Sequence, residues 1–132
     1  MALKAPFPWF GGKSRAAPMI WARLGDCRNY IEPFAGSLAV LLARPTPPGV
    51  ETVNDLDGFV ANFWRALAWH PAELERLVDW PVNEADLHAR HIHLVGARAD
   101  LTAHLMGDPR WCDVELAAWW VWGISAWIGS GW

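Results

Sequence analysis

Tyr30-Ile-Glu-Pro-Phe-Ala-Gly-Ser-Leu-Ala-Val40 sets a carboxylate, a proline, an aromatic and a glycine within five consecutive positions of an otherwise apolar run. The apolar residues before the proline read as a buried strand over Cys27 to Phe34. Gly36-Ser37 then opens a short helix, Leu38 to Arg44. At the carboxyl end of a strand in an open parallel sheet, a glycine lets the backbone approach a ligand, and the following helix start offers unpaired N–H groups. The same glycine also suits a strand-to-helix turn that simply needs a positive φ.

Working outward, Pro6-Phe-Pro-Trp-Phe-Gly-Gly-Lys13 is too rich in proline and glycine for a regular element and reads as a shaped loop. Ser14 is expected to cap a helix that runs to Leu24, with Pro18 in its first turns and Gly25 closing it. Pro45 to Gly49 is a turn. Val50-Glu-Thr-Val-Asn54 alternates and is β-branched, which predicts a second strand, and a helix follows from Gly58 to Trp69. Strands alternating with helices argue an α/β fold with a parallel sheet. After His70-Pro71 the pattern changes. Residues 71–79, 83–95, 99–106 and 114–128 carry helical spacing, so an α/β half is expected to give way near residue 70 to an all-helical half.

Composition bounds the rest. The 132 residues are 53% hydrophobic and 19% charged, which describes a packed chain of one domain or part of one. Two cysteines, Cys27 and Cys112, make no disulfide framework, and the N-terminus lacks a secretory apolar core, so a reducing cytoplasm is the expected setting. The longest apolar run, Leu116 to Ile128, is 13 residues, short of the roughly 20 that cross a bilayer. Residues 1–44 hold six cations against two acids, a net +4, leaving −7 for the other 88. Such a basic first third can meet phosphate, and it is also ordinary for a solvated surface. Seven of the eleven tryptophans fall between Trp64 and Trp122, which predicts an aromatic core or a large contact surface.

Two further clusters bear on chemistry. Asn54-Asp-Leu-Asp57 ends the second strand about 20 residues past the glycine turn, and an acid there can accept hydrogen bonds from ribose hydroxyls. Asp55 is the candidate, although Asp55 or Asp57 also suits the cap of the next helix. In Trp9-Phe-Gly-Gly-Lys13 two glycines bring backbone close, an aromatic offers a face and a lysine a charge, which suits an aromatic cofactor carrying a carboxylate. A glycine turn before a helix with a surface lysine is the plain alternative.

These three motifs, in this order and at these spacings, resemble the N-terminal half of the DNA adenine-N6 methyltransferase family, phage-borne members in particular. The resemblance covers residues 6–69 well and 70–132 only in helical character. It implies a partial Rossmann-like methyltransferase sheet (residues 1–69) followed by a helical target-recognition region (residues 70–132). It also implies S-adenosyl-L-methionine as cofactor and double-stranded DNA as partner, with methyl transfer to the N6 amino group of adenine. By position, Trp9, Gly11, Gly12 and Lys13 would line the methionine and adenine environment. Glu32, Pro33, Phe34 and Gly36 would form the turn beneath the cofactor, and Asp55 would hold the ribose.

The chain also departs from the family. Leu38 stands where a second glycine is common, and Phe10 where a small residue is. The catalytic Asp-Pro-Pro-aromatic motif is missing. Asp108-Pro-Arg-Trp111 differs at its third position and follows a helical stretch, so it reads as a helix-capping turn. No catalytic residue is therefore assigned. The chain reads as interrupted, with a catalytic strand expected in a C-terminal remainder; the alternative is a non-catalytic module that binds nucleotide or protein. A dehydrogenase is disfavoured because no G-x-G-x-x-G follows the first strand. No metal site is assigned either: His88 and His91 share a helix face while His93 points away, so a polar helix surface is expected. Trp119 to Trp132 is read as the core-facing helix of the helical half.

Overall fold

The computed structural model describes residues 3–129 and 132; Ser130 and Gly131 of the tryptophan-rich tract, like Met1 and Ala2, lie outside the described residues. Eight elements follow one another: α1 (Ala17–Leu24), β1 (Asn29–Glu32), α2 (Ala39–Leu42), β2 (Val50–Val53), α3 (Gly58–Trp69), α4 (Pro71–Val78), α5 (Glu84–Gly107) and α6 (Val114–Ala126). The chain divides into two compact units, Met1–Leu56 and Asp57–Trp132. By packing, α3 thus belongs with the later helices.

In the first unit β1 and β2 run parallel, Asn29 opposite Val50 and Glu32 opposite Val53. The expected α/β character is present as this two-stranded parallel sheet with its helices. β1, however, is not the buried run expected of Cys27 to Phe34, and β2 does not show the alternation expected of Val50 to Asn54. β1 is four residues long and alternates, Tyr30 and Glu32 inward, Asn29 and Ile31 outward, while β2 is exposed throughout. Without helices over both faces of the sheet, apolar residues on the second face stay in water.

The core of this unit gathers Ala17 and Trp21 of α1, Tyr30 of β1 and Val40 of α2. Trp21 lies 4.9 Å from the Tyr30 ring and donates its indole N–H to the Val40 carbonyl at 2.7 Å. α1 begins at Ala17, not under a Ser14 cap: its N-cap is Ala16, which makes no side-chain cap bond, and Pro18 in the first turn supplies the pre-set φ instead. α2 is shorter than Leu38 to Arg44 because Leu38 sits in the left-handed region at φ +55°, outside the helix.

The second unit is helical. Asp57 caps α3 by accepting from the Phe59 N–H. α6 presents Trp120 to Phe59 and Phe63 of α3, the Phe59 ring stacked at 6.5 Å, and buries Ala117 and Ala118 completely. The helical part of the tryptophan-rich stretch, up to Ala126, is therefore core-facing, whereas Ile128 beyond it is 96% exposed. Between α3 and the start of α6, Asn62 and Asp113 exchange two hydrogen bonds of 2.8 Å, side-chain amide to backbone carbonyl and backbone N–H to amide oxygen. The two expected helices over 83–95 and 99–106 are one continuous helix, α5, through Gly96. His88 and His93 are exposed, as a polar helix surface requires, while His91 is half-buried and stacks on Trp127 at 5.8 Å and His93 also meets the Trp119 ring edge-on at 5.2 Å. No described helix is long and apolar enough to cross a membrane.

Candidate functional site

The two strand tips are tied by backbone first. The Asn54 N–H donates to the Glu32 carbonyl and the Ala35 N–H to the Asn54 carbonyl, each at 2.9 Å, which carries the parallel pairing one step beyond β1 and β2. Asn54 adds a side-chain bond from its amide to the Pro33 carbonyl at 3.3 Å. Onto this frame Asp55 turns back, and its carboxylate accepts the Gly36 N–H at 2.8 Å. Asp57, not Asp55, caps α3, so the two acids suggested by spacing divide the roles between them.

Gly36 is buried at φ +49°. A Cβ placed there would lie 2.5 Å from the Trp9 indole nitrogen, so the glycine is required twice, for its backbone angle and for the space that Trp9 fills. Trp9 itself meets Phe7 edge-on at 6.0 Å. Gly11, at φ +71°, and Gly12 close a turn in which the Gly12 N–H donates to the Trp9 carbonyl at 2.9 Å. Both are exposed, and a side chain at Gly12 would press on that carbonyl at 2.8 Å. The Trp-Phe-Gly-Gly segment thus folds tightly enough to lay its own indole against the Gly36 turn, while Phe10, 98% exposed, points outward.

Lys13 reaches the same turn from the other side. Its ammonium donates to the Phe34 carbonyl at 3.1 Å and stands 3.6 Å from the buried Glu32 carboxylate. Glu32 also accepts the Tyr30 hydroxyl at 3.0 Å. Burial, then this hydrogen bond and the neighbouring negative charge, push the Tyr30 phenol well above its ordinary range. Tyr30 is a site residue that the spacing rules passed over, although two-residue periodicity sets it on the same strand face as Glu32. Pro33 and Phe34 are exposed, Phe34 at 78%. A shallow cleft of about 250 Å³ runs along this edge, with Lys13, Glu32, Tyr30, Ile31 and Phe34 in its lining.

All nine expected residues, Trp9, Gly11, Gly12, Lys13, Glu32, Pro33, Phe34, Gly36 and Asp55, therefore lie in the loop and the two strand tips of one unit, linked by the bonds above. What the arrangement offers is a carboxylate and an ammonium beside an open cleft, an exposed ring at its rim, and a backbone turn clamped by an acid. Asp108-Pro-Arg-Trp111 belongs elsewhere. It forms a turn after α5, with the Arg110 N–H on the Asp108 carboxylate at 2.8 Å, and the Asp108 and Trp111 carbonyls accept from Arg65 of α3.

No curated protein and no solved structure matches the chain. Residues 9–87, more than half of its length, do match one family, and the match begins at Trp9 and takes in the loop and both strand tips. The chain belongs to the D12 class of N6 adenine-specific DNA methyltransferases.

Proposed function

We propose that this chain is the cofactor-binding part and the beginning of the helical target-recognition region of an enzyme that methylates the N6 amino group of adenine in duplex DNA, with S-adenosyl-L-methionine as methyl donor. The division of labour is residues 1–69 for the cofactor and 70–132 for the target. The observation that carries the reading is the convergence of Lys13, Glu32, Gly36 and Asp55 at two strand tips, within the stretch matched by the family.

The residues present fit the amino-acid end of such a cofactor best. Lys13 offers an ammonium to a carboxylate, and Glu32 a carboxylate to an ammonium, 3.6 Å apart along the cleft. The Phe34 ring is free of burial and suits a heterocycle's face. Asp55 has the chemistry for a ribose, and its bond to the Gly36 N–H fixes its orientation. The cleft, about 250 Å³, lies below the roughly 300 Å³ at which small-molecule sites begin, so the cofactor is only partly enclosed by this unit. Trp9 fills the space over Gly36, and in this reading it lines the site as a wall. The bound cofactor would supply an electrophilic methyl group on sulfur; the chain's own residues hold and orient it. The group that aligns the adenine amino nitrogen is expected in a C-terminal remainder.

A second reading, a module that binds nucleotide or protein and transfers nothing, is favoured by one observation. The Asp108-Pro109 string is used up in a structural turn held by Arg65. Calorimetric titration with S-adenosyl-L-methionine tests both. Binding by the parent chain, weakened at least about tenfold in Asp55→Ala, supports the cofactor shelf. Absence of binding by either chain refutes it and leaves the module reading.

A further inference from the structure

α5 has two apolar faces. Leu94, Leu101 and Leu105 are buried inside the helical unit. On the outward side Ala89, Ile92, Gly96, Ala99, Ala103 and Met106 follow one another at spacings of three and four and form one straight seam without a charged side chain. All six are exposed, Ile92 at 70% and Met106 at 84%, with Val95 beside them at 55%. A helix that is apolar on a second face is suited to a second partner, because the outward face of a surface helix ordinarily carries charge.

We propose that this seam pairs with the same seam of a second copy of the chain, the two helices running antiparallel. The residues themselves select that register. Set Gly96 against Ala99 of the second copy: Ile92 then falls opposite Ala103 and Met106 opposite Ala89, so each large side chain meets a small one and the two-fold axis repeats every layer. The small residues let the axes approach to about 8 Å. In the same register His93, on one flank of the seam, lies across from Asp100 of the second copy, twice by symmetry. Shifting the helices by one heptad either way brings an aspartate to an aspartate, Asp86 to Asp100 or Asp100 to its own copy. A parallel pair would align Met106 with Met106 and Gly96 with Gly96, leaving gaps between bulky layers. Size and charge thus agree on one isologous arrangement.

The seam runs from Ala89 to Met106, about 26 Å along the 24-residue helix, so the two copies bury a narrow strip. Such a strip falls below the roughly 1,200 Å² of specific stable interfaces and in the range of weak, transient ones, so the dimer is reversible.

Sedimentation equilibrium of the full 132-residue chain, from about 1 µM to about 0.5 mM, reads this directly. The expected result is a reversible monomer–dimer equilibrium. Ile92→Glu, at a position already in water, keeps the helical circular dichroism and raises the dissociation constant at least about tenfold. Asp100→Lys weakens the dimer, and adding His93→Asp in the same chain restores it, because the new acid faces the new lysine only when the helices are antiparallel. A chain that stays monomeric across the range overturns the proposal. So does an Ile92→Glu chain that dimerises unchanged, or a His93→Asp change that fails to rescue Asp100→Lys.

Discussion

Gly36 is fixed on two counts in the first unit. Its φ of +49° and the Trp9 indole at its Cα leave no room for a methyl group. Gly36→Ala is therefore expected to lower unfolding stability by about 1–3 kcal/mol, measured by urea denaturation, and to weaken cofactor binding by moving Trp9. An alanine variant of unchanged stability would show that Trp9 is not seated there. Two residues on, Leu38 takes the left-handed region at φ +55° with its side chain buried. The backbone thus keeps a conformation that suits glycine, and leucine holds it because its side chain fills the core.

Tyr30 is the chain's one tyrosine, which makes its titration assignable. Burial and the bond to Glu32 favour the neutral phenol, so the folded chain holds this proton more tightly than the unfolded chain, whose phenol titrates near 10. The resulting stability is intact below about pH 10 and declines as pH rises from there toward the folded-state value. Tyrosinate absorbance is expected to appear only well above pH 10, or together with unfolding. A midpoint at or below about 10 in folded protein would contradict the buried hydrogen bond.

At the scale of elements, α3 and the start of α6 are held by a reciprocal pair that no periodicity announces. Asn62 is fully buried, and its side chain satisfies both the N–H and the C=O of Asp113. Asn62→Ala leaves the part-buried Asp113 N–H without its acceptor, while the Asp113 carbonyl keeps the Ala117 N–H, and should cost about 1–3 kcal/mol in chemical denaturation. Arg65 acts in a similar way at the end of α5, with one guanidinium on the carbonyls of Leu105, Asp108 and Trp111. Arg65→Lys keeps the charge but cannot span three acceptors, and a loss of about 1–2 kcal/mol is expected. Aromatic contacts complete this level. The Arg90 guanidinium lies 4.4 Å from the Trp122 ring, 5.2 Å from Trp119 and 5.3 Å from Trp80, and loss of water pulls its pKa below the ordinary arginine value.

At the scale of the whole molecule, the two units differ in how much core they own. The second brings Phe59, Phe63, Leu101, Leu116, Trp120 and Trp122 out of water, whereas the first rests on a cluster around Trp21 and on a sheet of two strands, one of them fully exposed. Two-stranded sheets are marginal on their own. A fragment spanning residues 57–132 is expected to show helical circular dichroism and a cooperative thermal transition, and a fragment spanning 3–56 is not. A cooperative transition in the shorter fragment alone would reverse that ranking.

Sequence alone determined the order of strands and helices up to α4 and several of their ends, because those depend on local rules: Gly25 after α1, the β-branched start of β2 at Val50, Gly58 at the start of α3, and Pro71 at the start of α4. It also pointed to the loop and strand-tip residues, since glycines, a lysine and an acid at fixed spacings are chemical features that need no neighbours to be read. What it misjudged turned on tertiary packing. Ser14 is left out of the cap because Pro18 already fixes the first turn of α1. Gly96 fails to break α5 because Leu94 before it and Leu101 and Leu105 after it are buried in the helical unit and hold the helix on either side. Asp55 and Asp57 are equivalent as letters, and only the approach of the Gly36 N–H to one of them assigns their separate tasks. Trp9 takes its seat for the same reason: the void that accepts an indole exists only once two distant stretches of chain are brought together, and no one-dimensional pattern records the shape of that space.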